Sequence, residues 1–161
     1  MGKVAIPDHI LLKPGKLTPE EFEIMKQHTV HGRDILARAE RRLGGDSFVH
    51  LASDIAYSHH ERWDGGGYPQ GPASEAIPLA GRIMAVVDVY DALISKRVYK
   101  PPVPHAEAVS YVARNRGTHY DPAIVDVFLG NAERIREIAL AYADCDLERV
   151  ALAPVPAIPG P

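Results

Sequence analysis

Apolar positions along the first third of the chain recur with helical spacing: Phe22, Met25, Gly32, Ile35, Leu36, Ala39 and Leu43 share one stripe. Ahead of them Thr18 reads as an N-cap, Pro19 as the first helical position and Glu21 as the far half of a capping box. The pattern predicts a helix from Pro19 to about Leu43, stopped by "GGD". Asp46 is placed to cap a second helix through "SFVHLASDIAYSHHER". Pro78 opens a third, "PLAGRIMAVVDVYDALIS", apolar nearly all the way round and so expected to be central and most buried. "PHAEAVSYVARNR" is a fourth, ended by Gly117, and Asp121-Pro122 starts a fifth that runs to about Ala143. The lead-in "MGKVAIPDHILLKPGKLT" is broken by two prolines and reads as irregular. Without strand alternation or an internal repeat, the expectation is all-α: a compact bundle of about five helices over residues 1–143. A Pro/Ala-rich tail, 144–161, is expected to be disordered.

Composition narrows the function classes. The chain has 161 residues, enough for one domain with a real core. Eighteen basic against 21 acidic residues give a formal charge of −3, so no global basic field suggests nucleic acid. No apolar run approaches the roughly 20 residues of a membrane helix, and the one cysteine, Cys145, rules out an internal disulfide. Both point to a cytoplasmic protein. Histidine is the unusual count, with eight residues and one adjacent pair.

Helical spacing says where those histidines point. His28 lies within the stripe of the first helix, and His59 continues the stripe Phe48, Leu51, Ala52, Ile55 of the second. His60 is turned about 100° away from His59. Asp88 follows the five apolar residues "IMAVV" on the helix expected to be most buried, where an unpaired carboxylate is costly and normally meets a cation. Any one inward histidine is most often a satisfied core residue. Three helices that each send N or O donors inward, imidazole and carboxylate with no thiolate among them, fit a site for Fe, Mn or Zn. An adjacent histidine pair can diverge to serve two ions, and two ions can clamp a phosphodiester. Between the second and third helices, Gly65, Gly66 and Gly67 allow close backbone approach before Tyr68 and Pro69. A plain turn explains that loop equally well. Asp64 is placed to brace the turn, Asp91 to act as a partner of Asp88 or in an outward ion pair. His9, His50, His105 and His119 lie off the inferred stripes and read as surface or local structural residues.

"HHERWDGGGYP" resembles the signature of HD-GYP domains, the His-Asp superfamily branch that hydrolyses cyclic di-GMP. "IPDHILLKPGKLTPEE", "MKQHTVHGRDIL", "IPLAGRIMAVVDVYDALISKRVYK" and "GTHYDPAIVDVF" resemble further blocks of that family in the same order, from Gly2 to about Ile138. The resemblance implies that His28, His59, His60 and Asp88 are ligands of a two- or three-metal centre of iron or manganese. It implies that Lys3 approaches the bound phosphate, that Tyr68 stands beside the substrate, and that Arg97 and Lys100 contact the dinucleotide. The family's His-Asp dyad would fall immediately before Met1, so the resemblance also implies an N-terminally truncated member with an incomplete metal centre. A fragment of a longer protein is favoured over a naturally degenerate domain. Loss of an N-terminal helix would expose apolar surface on the central helix and favour a homodimer.

Three functions follow as expectations. The first is a metal-dependent phosphodiesterase opening cyclic di-GMP to the linear dinucleotide or GMP. The alternative is a catalytically inactive module of bacterial signalling that binds cyclic di-GMP or a partner such as a diguanylate cyclase domain. The third is a phosphohydrolase for another nucleotide or cyclic dinucleotide.

Overall fold

A computed structural model describes residues 2–44, 47–96 and 101–153. Asp46, Arg97, Lys100 and residues 154–161 of the expected tail lie outside the described residues.

Among the described residues the chain forms helices α1 (Asp8–Leu11), α2 (Pro19–Leu43), α3 (Ser47–Ser58), α4 (Leu79–Ile94), α5 (His105–Arg114), α6 (Pro122–Gly130), α7 (Ala132–Ala141) and α8 (Asp146–Ala151), with 3₁₀ turns at Lys3–Ala5 and Ser74–Ala76. The all-α expectation holds. The starts of the long helices follow from local chemistry. At α2 the Thr18 hydroxyl accepts from Glu21 N–H while the Glu21 carboxylate accepts from Thr18 N–H, with Pro19 at the first turn. At α6 the Asp121 carboxylate accepts from Ala123 N–H at 2.8 Å.

Two expectations about the C-terminal half change. The fifth helix divides at Gly130–Asn131 into α6 and α7, because Gly130 is a weak helix residue and Asn131 bonds its side chain back to the Val127 carbonyl. Residues 144–153 are ordered as well. Glu148 accepts from Lys96 N–H at 2.6 Å and Asp144 N–H at 2.8 Å, while Arg136 holds the Leu152 carbonyl and Leu152 is buried in the core.

That core joins α4, α5, α6 and α8 around Val86, Tyr90, Val112, Val125, Phe128 and Leu152. On the other side α2 packs along α3, and α3 crosses α4 where Gly81 leaves room for Ser58; a Cβ at Gly81 would overlap the Ser58 hydroxyl. The helix faces differ from the sequence stripes. Phe22, Ile35, Phe48 and Leu51 are all exposed, and α2 and α3 instead bury His28, Thr29, Leu36, Ser53 and Ser58. Small and polar groups let the two helices approach closely, and the large apolar residues flank the seam.

The helix α4 buries one face only, through Gly81, Ala85, Val86, Tyr90 and Ile94. Leu79, Ile83 and Val87, on successive turns, face solvent at 58%, 45% and 48% exposure. Ile83 and Val87 wall an apolar groove of about 410 Å³ with Val127 of α6 and Ile135 of α7. No described element covers this side. Among the described residues no helix is long and apolar enough to cross a membrane.

Candidate metal centre

Three imidazoles meet where the middle of α2 faces the C-terminal end of α3. His28 is buried at 2% exposure; His59 and His60, just past the last turn of α3, are half-buried. Each of the three offers a ring nitrogen within 4.8 Å of the other two. Their ring centroids are 5.5 Å apart for His28–His59, 5.1 Å for His28–His60 and 4.1 Å for His59–His60.

Backbone carbonyls fix the orientation and the tautomer of two of them. His28 Nδ1 lies 2.7 Å from the Met25 carbonyl oxygen, and His59 Nδ1 lies 2.9 Å from that of Ile55 and 3.1 Å from that of Ala56. A carbonyl oxygen can only accept, so both Nδ1 atoms carry the proton. Burial lowers the pKa of both rings, which keeps them neutral, so each Nε2 presents a bare lone pair. Those two Nε2 atoms face each other at 3.4 Å. Two lone pairs aimed at one point are unfavourable alone and well suited to a shared cation, with the carbonyl bonds in the supporting role usual for metal-bound histidine. His60 is pushed down to about 3, by burial first and then by the neighbouring His59 and His28 rings.

Asp88 does not join this group. It is exposed on α4, where it stands with Met84 at the rim of the groove between α4 and the α2–α3 pair. The inward position expected for it is therefore corrected. It still stands near enough to His59 to favour that ring's charged form, and the two share the wall of a groove of about 280 Å³ with Leu36, Ile55 and Met84. Lys3, in the first 3₁₀ turn, is exposed, and its charge reaches both His28 and His60.

The glycine-rich loop folds over the cluster. Tyr68 stacks on His60 with centroids 4.8 Å apart and 27° between planes. Burial, with Asp88 adding to it, raises the phenol to about 12, so it stays a neutral donor at ordinary pH. The Tyr68–Pro69 peptide is cis. Gly65 takes a left-handed φ of 80°. Gly67 is required for closeness, since a Cβ there would overlap the backbone of Glu61 and Arg62. Asp64 braces the turn as expected, accepting from Gly66 N–H at 2.9 Å and pairing with Arg62 at 2.8 Å.

Sequence reasoning passed over Glu61. Its side chain is buried at 3% exposure and accepts from Gln70 N–H at 2.8 Å and Gly71 N–H at 3.1 Å. It thereby ties the far end of the loop to the residue after His60. An acidic residue between a histidine pair and a turn full of backbone donors was the available signal. The "GTHYDP" segment is a second tether: His119 and Thr118 carbonyls accept from Trp63 and Asp64 N–H at 3.0 and 2.9 Å. His119 stacks on Tyr120, and His105 bonds the Tyr90 hydroxyl at 2.8 Å, both local structural roles.

The fold and sequence have known counterparts. A Vibrio cholerae protein described as a cyclic di-GMP phosphodiesterase is 54% identical over 89% of this chain and 29% of its own length. A Thermotoga maritima cyclic di-GMP phosphodiesterase is 48% identical over 91% of this chain and 38% of its own. The chain thus spans about a third of the length of these curated relatives. A solved structure of a cyclic GMP-AMP-specific phosphodiesterase from V. cholerae superposes with a TM-score of 0.51 at 21% identity, covering 96% of this chain and 38% of that one, a likeness of fold. The HD domain family model matches residues 1–124. With its histidine pair and GYP loop inside that match, the chain belongs to the HD domain family and is of HD-GYP type.

Proposed function

We propose that His28, His59 and His60 hold a divalent metal, iron or manganese, and that the chain acts in hydrolysis of cyclic di-GMP. The observation that carries this reading is the pair of Nε2 lone pairs facing each other at 3.4 Å while both Nδ1 protons are held by carbonyls. When bound, the ion supplies Lewis acidity toward a phosphodiester and its attacking water. The protein's own groups do the rest. The carbonyl bonds of Met25 and Ile55 keep two rings aimed at one point. Asp88 faces solvent beside His59 and is the carboxylate best placed to accept a proton or an additional ligand bond at the rim. The Lys3 ammonium adds positive charge for a developing phosphoryl anion. Tyr68 shields one face of His60 and offers its hydroxyl, which makes no hydrogen bond among the described residues, to a substrate. The resemblance assigns Arg97 and Lys100 to the dinucleotide, outside the described residues.

The test is anaerobic turnover of cyclic di-GMP by the chain loaded with Fe(II) or Mn(II), with His60→Ala beside it and a second cyclic dinucleotide as a control substrate. Loss of turnover in His60→Ala supports the reading. Turnover that survives the substitution contradicts it.

A second reading, a module that binds cyclic di-GMP or a partner protein without turnover, has one observation in its favour. Among the described residues the three imidazoles converge without a carboxylate joining them, enough donors for one ion and few for two. Binding of cyclic di-GMP by a folded, metal-loaded chain that does not hydrolyse it would favour this second reading.

A further inference from the structure

A cation sits one ring away from the imidazole cluster without a role in the reading above. Lys26 Nζ lies 5.1 Å from the Phe22 ring centroid and 5.5 Å from that of Tyr68, within the range in which an aromatic face holds an ammonium. Phe22 and Tyr68 meet edge to face at 6.0 Å and 81°. The opening turns of α2 and the GYP loop thus form a small aromatic platform with a positive charge on it, and Tyr68 links that platform to His60 by direct stacking.

Two features suit the platform to a ligand. Among the described residues the carboxylate paired with Lys26 is Glu23 at 2.7 Å, whose side chain is 68% exposed, a solvated pair of the kind that holds its partners weakly. Phe22 itself is 43% exposed, a large aromatic surface open beside a cation. Aromatic surface next to a positive charge is what a purine nucleotide needs, the ring for stacking and the ammonium for the phosphate. We propose that Lys26 and Phe22 form a second subsite, receiving the phosphodiester and purine of a cyclic dinucleotide that do not lie at the imidazole cluster. The proposal rests on the reading of this site as one for a cyclic dinucleotide and adds to it the residues that select a dianionic, two-base ligand.

The experiment is isothermal titration of the Mn(II)-loaded full chain with a hydrolysis-resistant phosphorothioate of cyclic di-GMP, at several salt concentrations. Lys26→Met is expected to weaken binding about tenfold, the scale of one charge-assisted contact, and to flatten the dependence of affinity on salt. Lys26→Arg, which keeps the charge over the rings, is expected to retain most of the affinity and the salt dependence. Phe22→Leu, apolar but without a ring, is expected to weaken binding with the salt dependence kept. Unchanged affinity in Lys26→Met, with the parent chain binding normally, overturns the subsite alone. So does equal weakening by Lys26→Met and Lys26→Arg, since that traces the effect to packing and not to charge. A folded, metal-loaded parent chain that does not bind the ligand overturns the functional reading and the subsite with it.

Discussion

Replacing Glu61 by Ala tests how the loop is held over the candidate site. The buried carboxylate accepts two backbone N–H groups, from Gln70 and Gly71, nine and ten residues along the chain. Each is a hydrogen bond to a charged acceptor, worth about 1.5–3 kcal/mol. Water can reach the freed donors in part, because Gln70 and Gly71 are themselves exposed. The net loss expected is therefore about 2–4 kcal/mol, toward the lower end if the loop opens instead of leaving bare donors inside. Glu61→Gln, which keeps one good acceptor of similar shape, should lose roughly half as much. Urea unfolding gives the stability difference, and amide exchange at residues 64–71 reports the loop directly. Exchange there should quicken in Glu61→Ala while the core amides of α4 and α5 change only by the global loss. A loss below about 0.5 kcal/mol with unchanged exchange in the loop would refute the assignment of Glu61 as its anchor.

Three other outcomes are expected. His28, His59 and His60 all have pKa values lowered by burial, His60 to about 3, so as pH falls below about 6.5 the unfolded metal-free chain takes up protons first. Stability is full above that pH and declines below it, by about 2 kcal/mol at pH 5 for His60 alone; urea unfolding with chelator should show His60→Ala flattening this decline, and parallel profiles would count against it. Asp121→Ala removes the partner of Arg82 in an ion pair at 2.6 Å, with side chains 16% and 6% exposed, together with the α6 cap. A loss of about 3–5 kcal/mol is expected by thermal or urea unfolding, with Asp121→Asn milder because it keeps an acceptor for Ala123. On the open face of α4, Val87→Lys should change stability by no more than about 0.5 kcal/mol, against about 2 kcal/mol for Val125→Ala in the core, and a large loss at Val87 would mean that face is covered in solution.

Helix positions were legible where local chemistry set them. The Thr18–Glu21 box and the Asp121 cap are written in three or four consecutive residues, and both formed. The break at Gly130–Asn131 had a local signal too, a glycine followed by asparagine, but it was outweighed by the apolar run around it. Which face turns inward was less legible. Apolar stripes named Phe22 and Phe48, yet the seam between α2 and α3 is made of small and polar groups, and close approach of two backbones leaves no periodic trace of its own. His28 and His59 were placed correctly because they lie at the seam under either reading. Asp88 was not: it lies exposed at the rim of the groove between α4 and the α2–α3 pair, and an apolar run along one helix does not say which of its edges stays open. Glu61 escaped notice because its partners lie across a loop whose path no periodicity encodes.

The measurement that bears most directly on the central claim is metal binding by the chain itself. The chain is loaded anaerobically with Fe(II) or Mn(II) and passed through gel filtration, and the retained metal is counted beside His28→Ala and His59→Ala. At least one tightly held ion per chain is expected, lost in both variants while circular dichroism shows them folded. A folded parent chain that retains no metal, or variants that retain as much as the parent, would contradict the assignment of the three imidazoles as a metal centre.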